Sequence, residues 1–338
     1  MFSKVEYGEA MGDAYHKDAQ APSIRPMVSK QEMLRERPDL AQDYEALDDT
    51  FSVRVTRSFW DRIDVSDPKD PLAMQVFPDP RELEEREGAL LDPVGECQRV
   101  PIPWVVHKHP DRVLLLMTKR CHLYCRFCFR RTHDPSEGLD PTAEEWETAL
   151  QYALTSGATE VILSGGDPLA VNDHRLEDTL LRLDAAGLTV RVHTRAPVTY
   201  PKRVTEKLLQ MFQQVRSLWV IVHCNHEREL SADVDAAIGR LTEAGIPVLC
   251  QSVLLAGVND DADTLVALFE ALVRRKVFPY YLHHTDRVVG SHHFWVDADE
   301  GLRLYEQVRR RVSGLALPRY VIDMPDGTGK VDVSSTVG

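Results

Sequence analysis

"RVLLLMTKRCHLYCRFCFRR", residues 112–131, runs from a short apolar segment into three of the chain's six cysteines and closes on paired arginines. The apolar part, "RVLLLMT", is too short for a core helix and reads as a strand. Five similar runs follow: "EVILSG" (160–165), "LTVRVHT" (188–194), "LWVIVH" (218–223), "IPVLCQSVLL" (246–255) and "PYYLHH" (279–284). Between them lie amphipathic stretches such as "TAEEWETALQYALTSG" (142–157) and "DADTLVALFEALVRRK" (261–276). Strand then helix, repeated, is the pattern of parallel βαβ units.

Polar chemistry gathers at the strand ends. The cysteines follow the first strand, "SGGDP" the second, "HTR" the third and "HCNH" the fourth; "CQS" lies within the fifth, and "HHTD" follows the sixth. Loops at the carboxyl ends of strands build the site in both barrels and open α/β sheets. A site drawn from six strands favours a curved sheet. The expectation is an α/β fold: a partial (β/α)6, TIM-like barrel over residues 101–338, preceded by residues 1–100 as an arm and helical extension. Within that extension residues 1–30 are polar and irregular, and residues 30–63 are charged and helical in pattern. Residues 67–96 are rich in Pro and Asp and read as turns around short helices.

A net charge of −13 on 338 residues argues against a general nucleic-acid or anionic-membrane binder, though a local basic pocket could hold phosphate. No apolar run approaches the roughly 20 residues of a membrane span. The start, "MFSKVEYGEAMGDAYHKDAQ", has no apolar h-region, so no secretory signal is expected. Six scattered cysteines are too few for a disulfide scaffold, which points to a reducing cytoplasm.

Cys121, Cys125 and Cys128 form C-x3-C-x2-C. Three soft sulfurs suit a [4Fe–4S] cluster in which protein holds three irons and the fourth stays open to a chelating small molecule. A structural zinc site completed by His122 or His133 is the competing reading, although no distant second half of such a site follows. Incidental thiols are the third.

With "SGGDP" after the second strand, this motif resembles the radical S-adenosylmethionine superfamily. The resemblance implies Cys121, Cys125 and Cys128 as cluster ligands, Tyr124 as the aromatic residue of the motif, and Gly165, Gly166 and Asp167 as the turn that approaches the adenosylmethionine amino group. Six segments narrow it: "HKHPDRVLLLMTKRCHLYCRFCFRR", "VILSGGDPL", "HCNHERE", "QSVLLAGVND", "PYYLHHTDRVVG" and "VIDMPDGTGK" resemble the lysine 2,3-aminomutase family in order and spacing. "VTRSFWDRI" and "DPKDPLAMQV" are most similar to its short bacterial branch linked to β-lysylation of elongation factor P. That branch lacks the carboxyl-terminal extension of longer relatives, so contacts made by the extension are not carried over.

What the family implies is specific. Pyridoxal 5′-phosphate is the second cofactor, carried by Lys330, which Gly327 and Gly329 present on a flexible turn. Lys108 and Arg112 fall where its phosphate is bound; Lys108 is an arginine in longer relatives, which reduces bidentate geometry. Gln251 and Ser252 match the "QS" of the cofactor region, while Cys250 replaces an asparagine. His223 matches a residue near the adenosylmethionine ribose. Arg130 matches the arginine that grips the substrate carboxylate, and Asp286 with Asp323 the pair that holds the distal ammonium of lysine. His283, His284, His292 and His293 receive no ligand role. The implied enzyme is an isomerase that forms β-lysine from L-lysine by 1,2-amino migration, with a small amino-acid substrate and a flavodoxin- or ferredoxin-like reductant; no nucleic-acid or membrane partner is expected, and a homo-oligomer is left open. The alternatives are the same chemistry on another amino acid such as arginine, or a non-catalytic iron–sulfur or zinc protein.

Overall fold

The computed structural model describes residues 27–47, 51–132 and 138–336. Most of the expected amino-terminal arm, and His133, lie outside the described residues.

Nine strands form a single sheet in chain order: β1 (Val105–His109), β2 (Arg112–Leu116), β3 (Glu160–Ser164), β4 (Thr189–Thr194), β5 (Leu218–His223), β6 (Val248–Val253), β7 (Phe278–His283), β8 (Arg319–Met324) and β9 (Gly329–Asp332). Strands β2 to β8 run parallel; β1 and β9 are antiparallel hairpin partners at the two edges. All six expected strands are present. A seventh parallel strand and both flanking hairpin strands add to them.

Parallel neighbours need crossovers, and one helical segment or more supplies each. The reason is visible in the burial pattern. Helix Ala143–Thr155 buries Trp146, Ala149, Leu150 and Ala153, and helix Asp173–Ala185 buries Leu176, Thr179, Leu180 and Leu183. Helix Ala232–Glu243 repeats that spacing with Val234, Ala237, Ile238 and Leu241. Three- and four-residue steps place one apolar stripe on one face. Thr142 caps the first of these helices in a capping box with Glu145, and Asn172 caps the second. The stripes pack on the outward faces of the strands, Val161 and Leu163 of β3, Val190 and Val192 of β4, Val220 and Val222 of β5 among them.

The alternate strand positions face inward, and the sheet curls until its edges meet. Lys108 of β1 reaches Asp323 of β8, and a Cβ added to Gly329 of β9 would lie 2.6 Å from Cε1 of His109 on β1. The first and last strands of the hydrogen-bond order are therefore neighbours, which makes the sheet a nearly closed barrel. The (β/α)6 expectation holds, with one further parallel strand.

A second apolar cluster joins Val28, Met33, Tyr44, Phe59, Trp60, Leu72 and Phe77 of the amino-terminal segment to Leu123 of the cysteine loop. No helix among the described residues is long and apolar enough to cross a membrane.

Candidate active site

The cysteine loop leaves the carboxyl end of β2 and is held from the amino-terminal side. Tyr124 N donates to Arg54 O and Arg126 N to Gln75 O, at 3.0 and 2.9 Å, while Phe51 stacks on Tyr124. Arg126 is wholly buried and forks onto Glu82, 2.8 Å from Nε to Oε1 and 2.6 Å from Nη2 to Oε2; Arg131 takes the same carboxylate. A buried pair of this kind contributes rigidity rather than much net energy, but losing one partner costs about 3–5 kcal/mol.

Cys121, Cys125 and Cys128 are half-buried. Burial and then the neighbouring Cys128, Asp167 and Cys125 push the Cys121 thiol well up. Burial, followed by Cys125, pushes Cys128 up to about 11. Cys121 and Cys128, raised in this way, cannot both be thiolates without a cationic centre to share. Part of that charge is in place: Arg195 Nη1 lies 2.8 Å from Cys125 Sγ. Among the described residues no set of three or more His, Cys, Asp or Glu converges on one ion. A zinc site needs such convergence, whereas a cluster takes one sulfur per iron. His122, the alternative zinc ligand, stacks on Tyr200 and stands 3.9 Å from Asp167.

The glycine turn after β3 is built against the entry to this loop. Gly166 N donates to Thr118 O and Asp167 N to Arg120 O, both at 2.7 Å. A Cβ on Gly165 would lie 2.2 Å from Thr118 O, and one on Gly166 2.1 Å from Arg120 O, so both positions require glycine; Gly165 also has φ +117°. The Asp167 carboxylate is engaged inside the protein: it accepts Leu169 N and Thr194 Oγ1 on one oxygen and Arg195 N on the other. It joins the ends of β3 and β4.

Arg195 and its partners were not singled out in the sequence. Nη2 of Arg195 donates to Glu229 Oε2 at 2.8 Å and to Gln75 Oε1 at 2.6 Å; Glu229 in turn accepts from Asn225 N, His226 N and Gln75 Nε2. The available signals were the arginine that follows strand "VRVHT" and the glutamate three residues after His226.

The inward face carries the remaining candidates. His223 of β5 stacks on Phe127 of the cysteine loop at 5.7 Å, and its Nε2 is buried without a partner. Burial and then Arg195 hold its imidazole well below the usual range, hence neutral. His193 of β4 also has a buried, unpartnered Nε2, and burial, Arg191, Lys330 and Arg130 keep it neutral as well. His193 belongs to "HTR", where nothing in the local sequence sets it apart, and it is the inward curl of β4 that brings it to this interior. On β6 burial alternates, with Cys250 and Ser252 buried on the outer face and Gln251 half-buried on the inward one, between Leu249 and Val253. Ser252 Oγ donates to Cys224 O at 2.6 Å on the other face, and burial pushes Cys250 up to about 12.

Charges concentrate where β8, β9 and β1 meet. Asp323 and Lys330 are directly opposed in the β8–β9 hairpin, with Lys330 Nζ 2.7 Å from Asp323 Oδ2. Lys108 Nζ donates to Asp323 Oδ1 at 2.6 Å, Val94 O at 2.7 Å and Met324 O at 2.9 Å. An ammonium has three hydrogens, so Lys108 has none left for a phosphate in this arrangement. Arg112 pairs with Asp111 through Nη1 alone, which leaves a guanidinium edge for an oxyanion. Burial opposes ionisation of Asp323, but Lys330 and Lys108 outweigh it and hold the carboxyl low. Asp286 has no cation or hydrogen-bond donor on its carboxylate among the described residues. Burial first, then Asp323, push it up to about 7 against the pull of Lys330 and Lys108, with Glu96 adding a smaller push. Arg130 lies on the cysteine-loop side of the same interior and forks onto Glu96.

Three comparisons bear on these residues. Residues 115–269 match the Radical SAM superfamily. The L-lysine 2,3-aminomutase of Escherichia coli (strain K12) is 39% identical over 273 residues, covering 80% of this chain and 79% of that protein. The L-lysine 2,3-aminomutase of Clostridium subterminale is 36% identical over 287 residues, covering 84% and 69%. The chain belongs to the lysine 2,3-aminomutase family. Among solved structures, Streptococcus suis SuiB bound to S-adenosylmethionine superposes with a TM-score of 0.50 at 15% identity, over 64% of this chain and about half, 51%, of that one, which supports the fold. Lysine 2,3-aminomutases are isomerases that use a [4Fe–4S] cluster, S-adenosylmethionine and pyridoxal 5′-phosphate. The residues present fit that set. Three desolvated thiols with a guanidinium beside them suit the cluster, the orphaned His223 Nε2 next to the cysteine loop suits adenosylmethionine, and Lys330 with the free edge of Arg112 suits the pyridoxal group.

Proposed function

We propose that the chain isomerises L-lysine to β-lysine by moving the nitrogen from Cα to Cβ. The observation that carries this reading is Asp286: a half-buried carboxyl within reach of the Asp323 charge, with no cation or hydrogen-bond donor on its own oxygens among the described residues. Such a site favours a ligand that brings a buried positive charge. A neutral or acidic side chain would leave the two carboxyls facing each other. Asp323 keeps lone pairs for an incoming ammonium, since each of its oxygens accepts one lysine in the present arrangement and can accept a second donor. Arg130, on the cysteine-loop side, is the seat for the substrate carboxylate.

When bound, adenosylmethionine with the cluster supplies a carbon radical for hydrogen removal at Cβ, and pyridoxal phosphate makes the nitrogen shift feasible. The chain positions and excludes. Cys121, Cys125 and Cys128 hold the metal side, and Arg195 donates to the Cys125 sulfur. Gly165 and Gly166 allow the β3 turn to pack against the cysteine loop. Lys330 is the covalent attachment point for pyridoxal. Neutral His193 and His223 each bring a hydrogen-bonding nitrogen to a desolvated interior without a further charge. A flavodoxin- or ferredoxin-like protein is the electron source in this reading.

The test is anaerobic incubation of the reconstituted protein with adenosylmethionine, pyridoxal phosphate, reductant and, separately, lysine, arginine and glutamate, with chiral product analysis. β-Lysine from lysine alone is expected. Lys330→Ala should keep reductive adenosylmethionine cleavage and lose isomerisation. Turnover of arginine at a rate equal to lysine would overturn the substrate, and isomerisation by Lys330→Ala would overturn the role of Lys330.

A further inference from the structure

Arg130 is already occupied by an anion. Glu96 takes its Nε and Nη2 edge at 2.8 and 2.6 Å, and both side chains are largely buried, 12% exposed for Arg130 and 15% for Glu96. Nη1 donates to Gly165 O at 3.0 Å and to Ser164 Oγ at 3.3 Å. Of five guanidinium hydrogens, four are committed, and the last sits alone on Nη2. A carboxylate held by two parallel hydrogen bonds needs a whole edge.

The two halves of this arrangement differ in origin. The Nη1 contacts come from the end of β3 and do not involve Glu96. Glu96 comes from a short strap, residues 92–99, outside the barrel strands. Asp92 ties that strap by accepting Glu96 N at 2.9 Å and Cys97 N at 2.8 Å. Its Val94 O receives Lys108, and a Cβ on Gly95 would lie 2.1 Å from Pro325 O. The strap thus lies against the turn that precedes Lys330, and the Glu96 side chain extends from it into the carboxylate seat. Two carboxylates on one guanidinium in a desolvated site repel, so an amino-acid substrate and Glu96 compete for this edge.

We infer that Glu96 is an internal stand-in for the substrate carboxylate: it holds the Nε/Nη2 edge of Arg130 in the substrate-free protein and gives up that edge when the amino acid enters. The inference rests on the reading of Arg130 as the carboxylate seat. It makes Glu96 a residue that lowers affinity for carboxylate-bearing ligands.

The test uses holoenzyme with cluster and pyridoxal phosphate but no adenosylmethionine, so that no turnover occurs. L-Lysine and 1,5-diaminopentane, which shares lysine's distal ammonium but lacks a carboxylate, are titrated calorimetrically into wild type, Glu96→Gln, Glu96→Asp and Arg130→Met. Glu96→Gln should bind lysine about tenfold more tightly, the effect of about 1.4 kcal/mol, and the diamine no more tightly than wild type. Glu96→Asp, whose shorter carboxylate withdraws from the fork, should show part of that gain. Unchanged or weaker lysine binding in both Glu96 variants overturns the inference, because an orienting glutamate would give that result. Equal tightening of both ligands overturns it too. If Arg130→Met leaves lysine binding intact, the reading of Arg130 fails instead, and the two failures are distinguishable.

Discussion

Asp286→Asn offers a direct measure of how strongly the site wants a cation. The folded protein holds this carboxyl at about 7, against 3.8 for the ordinary group. An acid whose value is raised on folding binds extra proton in the folded state between those two values, so its contribution lowers stability as pH rises from about 4 to about 7 and then levels off. The difference is about 3 units, and at ~1.36 kcal/mol per unit it amounts to about 4 kcal/mol above pH 7. Water reaches the half-buried side chain, so on the order of 2 kcal/mol is the working value. An unfolding entropy of ~2.1 cal/mol/K per residue, over a chain of this length, converts that to a shift of about 3 °C. Cofactor-free wild type and Asp286→Asn are compared by thermal unfolding at pH 5.5 and 8.5. The variant should melt about 3 °C higher at pH 8.5, with the gap roughly halved at pH 5.5, while the lysine affinity of the loaded protein drops about a hundredfold through loss of one charge-assisted contact. A variant that is less stable at pH 8.5, or a gap that ignores pH, would mean that Asp286 already has a cation, and the reasoning would fail.

Three further outcomes follow from the same geometry. Lysine binding near pH 6.5 should release protons, because an ammonium favours the ionised form of Asp286; titration calorimetry in two buffers of different ionisation enthalpy reads this, and Asp286→Asn should abolish it. Glu82→Gln strips the charge partner from buried Arg126 and from Arg131, so denaturant unfolding should show a loss of about 3–5 kcal/mol and iron analysis a depleted cluster. Gly166→Ala forces a Cβ against Arg120 O and should abolish reductive cleavage of adenosylmethionine, in contrast to Lys330→Ala, which should retain it; normal cleavage by Gly166→Ala would show that the turn can yield.

Much of the frame could be read from residue order. The six central strands are short runs rich in β-branched and aliphatic residues whose outer faces lie under the helices, and that composition is a strong local signal even where the inward positions are polar. Strand β8 gives a weaker signal, since its apolar run "YVI" is only three residues long and only Tyr320 and Val321 are buried. Strands β1 and β9 are half polar because they are hairpin edges whose side chains line the site. Ser252 illustrates a different limit. Gln251 and Ser252 are adjacent in sequence and belong to one motif, yet the two-residue period of a strand sends them to opposite faces.

The spacing of Cys121, Cys125 and Cys128 and the strand–helix rhythm are local properties, set by chain geometry within a few residues or one βαβ unit, and the sequence alone determined them. Which charges meet could only be decided by closure of the sheet. Lys108 and Asp323 are 215 residues apart, and they face each other because the curl brings the first edge to the last. Glu96 reaches Arg130, and Arg195 reaches Cys125 and Gln75, by the same long-range folding. An ion pair depends on distance and desolvation, neither of which a linear order contains.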